Sequence, residues 1–122
     1  MSVLDTRWSL TVEATFSASH QVPGSERCYR DHGHRWRAWT TLTSSEMEKE
    51  GIPRGAEGLE RFWGDLCAEL DYRPLEKMLT GVITTPLGLA NYLFERVSAE
   101  FPGIVSVRVD DGDGSCGEKS RG

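Results

Sequence analysis

The chain has 122 residues, of which 38% are hydrophobic and 27% charged, and its formal net charge is −5. This size and composition fit one globular domain with a buried core and exclude a disordered segment. No apolar run approaches the ~20 residues of a membrane span, and residues 1–10 lack a signal-peptide layout, so we expect a cytoplasmic protein without a membrane partner. The negative charge argues against nucleic acid as a partner, and three cysteines without framework spacing indicate reduced thiols.

Period-2 alternation predicts a strand near the start of the chain. Even positions from Trp8 to Ala18 are apolar, whereas the odd positions between them carry Ser, Thr or Glu. Residues 21–33 contain Pro and Gly and are predicted to form a loop. A second strand, rich in Trp and Thr, is predicted from about His34 to Thr43.

Two amphipathic helices are predicted next, after a polar connection. Apolar residues recur at helical spacing from Leu59 to Leu70, which predicts a first helix that ends at about Asp71. Thr85 has the character of an N-cap and Pro86 that of a first helical residue, so the second helix is expected to begin there. A Pro-Gly pair ends it.

The last predicted strand covers the valine-rich residues 104–109. Residues 110–122 are almost without apolar side chains and favour a turn and a weakly ordered end, with a short fourth strand as the alternative. The predicted order is β-β-α-α-β, with one more β if the end of the chain pairs. Antiparallel strands with helices on one face define an α+β fold, and residues 1–122 are expected to form a single domain.

All three histidines lie in one fifteen-residue window, at His20, His32 and His34. Side chains two apart on a strand share a face, with α-carbons ~6–7 Å apart, and His20 ends the preceding predicted strand. Three neutral imidazoles with an open fourth position are the ligand set of a catalytic zinc ion, and zinc is the metal we expect. Two alternatives stay open at this point: histidines on the surface or hydrogen-bonded in the core, and a closed structural zinc site completed by Cys28.

Cys28 lies in the loop between the histidines, beside Arg27 and Arg30. Positive surroundings favour the thiolate form of a cysteine, which can act as a base or a nucleophile. Cys67, on the first predicted helix, is better explained as a small core residue, and Cys116 has no assigned role. Cys28 is therefore the candidate catalytic thiol.

The ordered motif in this window resembles one family. It reads Phe16-x-Ala18-x-His20, then Cys28-x-x-x-His32-Gly33-His34. This is similar to the 6-pyruvoyl-tetrahydropterin synthase family, which includes the bacterial 6-carboxy-tetrahydropterin synthases. Weaker similarities continue in the same order through Leu70-Asp71 with Leu75, residues 84–90, and Val107-x-Val109-x-Asp111. Together they cover most of the chain from Val12 to Asp111.

The resemblance implies a fold, an assembly and a reaction. The fold is the tunnelling fold, a β-β-α-α-β-β unit whose subunits form trimers with joined sheets, paired into hexamers with active sites between subunits. The cofactor is Zn²⁺, held by the three histidines, and the substrate is 7,8-dihydroneopterin triphosphate. The activity is that of a lyase that yields 6-carboxy-tetrahydropterin, acetaldehyde and triphosphate, or else 6-pyruvoyl-tetrahydropterin. The bacterial reaction feeds 7-deazaguanine (queuosine-type) biosynthesis.

The resemblance also assigns the proton-transfer residues. Cys28 matches the proton acceptor, and Asp71 matches the aspartate of a catalytic Asp-His pair. Tyr72 stands where the family has the histidine of that pair. An unperturbed tyrosine, with a pKa of ~10, is a poorer proton carrier near neutrality than a histidine at ~6.5.

Candidate substrate contacts depart further from the family pattern. Asp111 stands where the family has a glutamate that anchors the pterin ring, and it is one methylene shorter. Thr84 and Thr85 lie where the family has its Pro-Thr-x-Glu helix start and are candidate substrate contacts, although Leu87 stands where that glutamate would be. Arg35 and Arg37 lie on the second predicted strand. These two arginines either bind the triphosphate or form a solvated face of the strand.

Three functions follow from these residues. The first is the zinc-dependent lyase, which retains Cys28 and Asp71 and works without the histidine. The second is the same fold with altered or lost chemistry on a related pterin, because Tyr72 and Asp111 depart from the family. The third is a non-enzymatic zinc-stabilised binding module, which chelation would unfold.

Overall fold

The computed structural model describes residues 6–22 and 32–122, with His32 described by its backbone alone. Within these ranges the chain forms five strands and three helices. Their order is β1 (Trp8–His20), β2 (His32–Ser44), α1 (Leu59–Ala68), β3 (Arg73–Pro74), α2 (Leu75–Met78), α3 (Pro86–Glu100), β4 (Ile104–Asp110) and β5 (Cys116–Ser120). None of these helices is long and apolar enough to cross a membrane.

The strands form one sheet in the order β3-β1-β2-β4-β5. The β1–β2, β2–β4 and β4–β5 pairs are antiparallel, and only the two-residue β3 runs parallel to its neighbour, at Ala18 and Ser19 of β1. The longest ladder joins β1 to β2 and runs from the pair Trp8 and Ser44 to the pair His20 and His32. The predicted α+β class, with a mainly antiparallel sheet, is confirmed.

The even-numbered face of β1 and β2 forms one wall of the core. Phe16, Trp36 and Leu42 are fully buried there, in the same hydrophobic cluster as the inward faces of α1 and α3. Two buried indoles satisfy their N–H groups on backbone carbonyls: Trp36 Nε1 donates to Ala18 O at 3.1 Å, and Trp63 Nε1 donates to Ala38 O at 3.2 Å. The alternation seen in the sequence thus fixes which side of the sheet is covered.

The helices differ in how closely they follow the sequence pattern. α3 begins as predicted, because Thr85 is its N-cap and its hydroxyl accepts a hydrogen bond from Gly88 N at 3.1 Å. α1 ends at Ala68, three residues before the predicted end, and turns carry the chain on to Asp71. β3 and α2 were not predicted, because elements of two and four residues are too short to show a period.

β5 confirms the alternative of a short further strand within residues 110–122, where the sequence favoured a weakly ordered end. Its order comes from backbone pairing with β4 and from polar contacts to α3, not from apolar side chains. Lys119 Nζ donates to Asn91 Oδ1 at 2.6 Å and lies 2.8 Å from Glu95 Oε1. Gly117 allows the strand to approach the start of α3, since a Cβ there would lie 2.6 Å from Leu87 N.

Candidate metal centre and active site

The β1–β2 ladder brings two of the predicted zinc ligands together. Ala18 pairs with His34, and His20 pairs with the backbone of His32. His20 and His34 are 1% and 8% exposed, and their ring centroids lie 4.7 Å apart in an edge-on arrangement. Two imidazoles are therefore held side by side at the end of the sheet, on its buried face.

The indole of Trp36 packs against this histidine pair on the side of the hydrophobic core. The Trp36 ring lies 5.1 Å from the His20 ring and 5.2 Å from the His34 ring, edge-on to both, and stacks on Phe16 at 6.0 Å. Because Trp36 is fully buried and hydrogen-bonded, it restricts the orientation of both imidazoles. Sequence reasoning did not assign Trp36 to the site, although its position two residues after His34 on one strand carried the signal.

Both imidazoles meet an oxygen atom at Nδ1. His20 Nδ1 lies 2.6 Å from the backbone carbonyl oxygen of Thr84, and His34 Nδ1 lies 2.5 Å from Asp113 Oδ2. The hydrogen bond to a carbonyl oxygen, which can only accept, places the His20 ring proton on Nδ1 and leaves the lone pair on Nε2. The close carboxylate favours the same tautomer of His34 by electrostatic attraction. Metal-bound histidines are oriented in the same way, so these two residues fit a zinc site.

The rest of the predicted ligand set lies outside the described residues. The side chain of His32 and all of Cys28 belong to that part of the chain, so their roles stay predictions. Within the described part, no cluster of three or more ligating side chains occurs. The candidate metal site is therefore described only at His20 and His34, with position 32 opposite His20 in the ladder.

Asp71 and Tyr72 lie beside β1 and are both tied to Ser17. Asp71 Oδ1 accepts a hydrogen bond from Ser17 N at 2.8 Å, and Tyr72 N donates to Ser17 O at 2.5 Å. Tyr72 adopts φ 57°, in the left-handed region that bulky residues rarely occupy. Its side chain is 83% exposed, so the phenol is displayed at the surface.

A cavity of about 460 Å³ connects these groups. Its lining includes His34, Tyr72, Arg35 and Ser19. The Arg35 guanidinium is held by two hydroxyls, with Nη1 donating to Ser17 Oγ at 2.9 Å and Nη2 donating to Thr15 Oγ1 at 2.8 Å. A phenol and a fixed cation thus border one open space on the odd-numbered face of β1 and β2, while the His34 ring lies on the opposite, buried face. A larger cavity of about 660 Å³ is formed by residues 48–57 and 100–102 and contains none of the predicted site residues.

The two arginines of β2 have different surroundings. Arg35 borders the cavity, whereas Arg37 donates to both carboxylate oxygens of Glu13, at 3.2 and 3.3 Å, and lies over the Trp39 ring. The hydrogen bond from Arg37 lowers the pKa of the Glu13 carboxyl group. Arg37 therefore belongs to a solvated strand face, and Arg35 is the arginine available to a ligand.

The predicted pterin contacts have structural partners of their own. Asp111 is buried, and its Oδ1 accepts hydrogen bonds from Asp113 N at 2.8 Å and Ser115 N at 3.2 Å, which organise the β4–β5 turn. The Thr85 hydroxyl caps α3, and buried Thr84 meets His20 through its carbonyl group. Contacts of these three residues with a pterin stay predictions.

Asp113 is the site residue that sequence reasoning missed. It lies in the polar segment that favoured a weakly ordered end, and its carboxylate reaches His34 only because β4 and β5 form a hairpin. The run Asp-Asp-Gly-Asp-Gly at residues 110–114 is the predicted turn, and together with the alternative short strand it indicates this hairpin.

The fold and the histidine pair define a protein of the tunnelling-fold class. Residues 9–120 match the family described as 6-pyruvoyl tetrahydropterin synthase. Since this match spans most of the chain, the protein belongs to the 6-pyruvoyl tetrahydropterin synthase family, and the predicted family is confirmed.

Relatives and solved structures agree with this assignment. A protein of Archaeoglobus fulgidus, provisionally named 6-carboxy-5,6,7,8-tetrahydropterin synthase, is 23% identical over 110 residues, covering 90% of this chain and 93% of the relative. The 6-pyruvoyl tetrahydropterin synthase of Caenorhabditis elegans superposes with a TM-score of 0.80 at 17% identity, covering 96% of this chain and 97% of the other. The Plasmodium vivax enzyme of the same name gives a TM-score of 0.72 at 14% identity, covering 96% and 99%. These similarities confirm the predicted fold.

Proposed function

We propose that the protein is a zinc-dependent lyase acting on 7,8-dihydroneopterin triphosphate. Its product is 6-carboxy-tetrahydropterin, or 6-pyruvoyl-tetrahydropterin, and its place is in 7-deazaguanine (queuosine-type) biosynthesis. Family membership and the name of the Archaeoglobus fulgidus relative support the reaction class. The observation that carries the proposal is the buried pair of His20 and His34, with an oxygen atom close to each Nδ1.

The zinc ion would be held by His20, His32 and His34. When bound, it supplies a Lewis acid that polarises a substrate oxygen and orients the substrate. Trp36 packs against the His20 and His34 imidazoles, so the chain itself excludes solvent from both rings and fixes their orientation. Neutral imidazoles are the form that binds metal, and the assigned Nδ1–H tautomer leaves Nε2 for that role.

Proton transfer is assigned to three side chains. Cys28 is the proposed proton acceptor, and Asp71 and Tyr72 take the place of the family's catalytic pair. The hydrogen bond from Ser17 N holds the Asp71 carboxylate in place, and Tyr72 lines the cavity beside Arg35. Arg35 is placed to pair with a phosphate group, which guanidinium recognises well.

The proposed assembly is a trimer or hexamer with active sites between subunits. Two features of the described residues support it. β5 ends the sheet on one side, and at the other end β1 pairs outwards only through two residues with β3, so both edges offer backbone groups to another chain. The exposed Tyr72 ring offers an apolar surface beside the cavity. Light scattering should give three or six times the chain mass of 13.6 kDa.

A direct assay tests the proposed reaction. Purified protein with zinc and 7,8-dihydroneopterin triphosphate should form a tetrahydropterin, and the same protein after chelation should not. The control is Cys28→Ala, which keeps the three histidines. Equal product formation by the wild-type protein and this variant would contradict the proposal.

A second candidate is altered chemistry on a related pterin. It is favoured by Asp111, whose Oδ1 already accepts two hydrogen bonds from its own turn, and by the phenol at position 72. The variants Tyr72→His and Tyr72→Phe separate the two functions. A large gain of synthase activity in Tyr72→His alone would favour altered chemistry in the natural protein, whereas loss of activity in both would assign the phenol a role in the lyase reaction.

A further inference from the structure

We infer that Asp113 is a positioning residue for the metal centre: its carboxylate holds the His34 imidazole so that Nε2 is the ligating nitrogen. The inference rests on the proposed zinc site. It is carried by the distance of 2.5 Å between Asp113 Oδ2 and His34 Nδ1. A carboxylate in this position is the usual outer partner of a metal-bound histidine, where it fixes the ring and strengthens the ligand.

The β4–β5 turn delivers this carboxylate on a well-defined backbone. Asp113 N donates to Asp111 Oδ1 at 2.8 Å, and Gly112 N donates to Asp110 Oδ1 at 2.7 Å. Gly112 has φ +81°, and a Cβ at this residue would lie 2.8 Å from Arg35 O. The turn therefore packs against the strand residue that follows His34, which keeps the Asp113 side chain within reach of the imidazole.

The two described histidines differ in how their Nδ1 atoms are held. His20 meets a backbone carbonyl, which no substitution of Thr84 removes, whereas His34 meets a charged side chain. A carboxylate attracts a nearby N–H group more strongly than a neutral carbonyl does. The Asp113 side chain is also 56% exposed, so replacing it leaves no void in the core. Metal affinity can thus be altered at Asp113 without disturbing the fold.

Zinc dissociation constants test the inference, measured on the full chain by competition with a chromophoric chelator. Asp113→Ala should bind zinc about 10–100-fold more weakly than the wild-type protein. Asp113→Asn, which keeps an oxygen acceptor, should recover part of that loss. Asp110→Asn is the matched control, because it alters a carboxylate of the same turn, one that accepts a hydrogen bond from Gly112 N. The zinc affinity of this variant should stay within about twofold of wild type, the usual size of a surface effect.

A second readout separates positioning from stability. Nitrogen NMR of the metal-free protein reports which ring nitrogen of His34 carries the proton. The wild-type protein should show Nδ1–H, and Asp113→Ala should show a rise in the Nε2–H form, with an unchanged midpoint of thermal unfolding.

Each outcome has one meaning. Wild-type zinc affinity in Asp113→Ala with an unchanged tautomer would overturn the inference and leave the zinc proposal standing. Equal losses in Asp113→Ala and Asp110→Asn would overturn it too, because they would trace the effect to the turn. A wild-type protein that binds no zinc would overturn the proposed function itself.

Discussion

Gly88→Ala, near the start of α3, should destabilise the protein, although helices ordinarily prefer Ala to Gly. Gly88 lies inside α3, where replacing Gly with Ala normally gains about 0.8–1.0 kcal/mol. A Cβ at this residue, however, would lie 1.6 Å from Ile83 O and 2.6 Å from Ile83 C. The first distance is about 1.7 Å shorter than the closest usual contact between carbon and oxygen.

Relief of this clash requires movement of backbone. Overpacking of this kind costs about 1–3 kcal/mol, and a rigid backbone neighbour puts Gly88→Ala at the upper end of that range. After subtraction of the helix preference, we expect a net loss of about 2 kcal/mol and a fall of roughly 8 °C in the unfolding midpoint. The neighbouring Thr84 would move with Ile83, so His20 would also lose its oxygen acceptor.

Gly64→Ala is the matched control for this prediction. Gly64 lies in the interior of α1, is exposed, and has no atom within 4 Å of its ideal Cβ position. This variant should gain about 0.5–1 kcal/mol. Urea unfolding of the metal-free variants, followed by Trp fluorescence, measures both free energies. A Gly88→Ala protein as stable as Gly64→Ala would refute the close approach of α3 to the segment before it.

Three further predictions concern the core and the metal. Burial raises the pKa of the Cys67 thiol from 9.0 to about 12. The unfolded state therefore loses this proton at a lower pH than the folded state does. The free energy of unfolding should fall as the pH rises from 9 towards 12. Urea unfolding at several pH values should show a shallower fall in Cys67→Ala. Trp36→Phe removes the hydrogen-bond donor to the buried Ala18 carbonyl and should lower the free energy of unfolding by about 1–3 kcal/mol. The Trp39 indole donates to exposed Glu13, so Trp39→Phe should lower it by under about 0.5 kcal/mol in the same measurement. Chelation should abolish turnover with little change in far-UV circular dichroism, because the buried hydrophobic cluster of the described residues contains none of the predicted metal ligands. Unfolding on chelation would instead indicate a closed structural site.

The sequence predicts the parts of the fold that repeat a period. The alternation from Trp8 to Ala18 defines a strand with one buried face, and the same period on β2 places Trp36 on that face. Once the two strands pair in the register that buries these residues, His20 and His34 must meet. The N-cap of α3 at Thr85 is also predicted from the sequence, since hydroxyl capping depends on only a few neighbouring residues.

The remaining parts depend on contacts between distant segments. β5 has few apolar residues, and its order comes from the ladder to β4 and from Lys119, which no local pattern encodes. The contact between Asp113 and His34 joins residues that are far apart in the chain, so it appears only after the hairpin has formed. Tyr72 could be recognised as a departure from the family, but its left-handed backbone and its hydrogen bond to Ser17 O have no local pattern in the sequence.

Metal analysis of the purified wild-type protein tests the central claim most directly, with His34→Ala as its partner. The account predicts about one zinc ion per chain in the wild-type protein, as a three-histidine site requires, and almost none in His34→Ala when the variant keeps its circular dichroism spectrum. A folded wild-type protein that contains no zinc after expression with the metal, or a His34→Ala variant with the same zinc content, would contradict it.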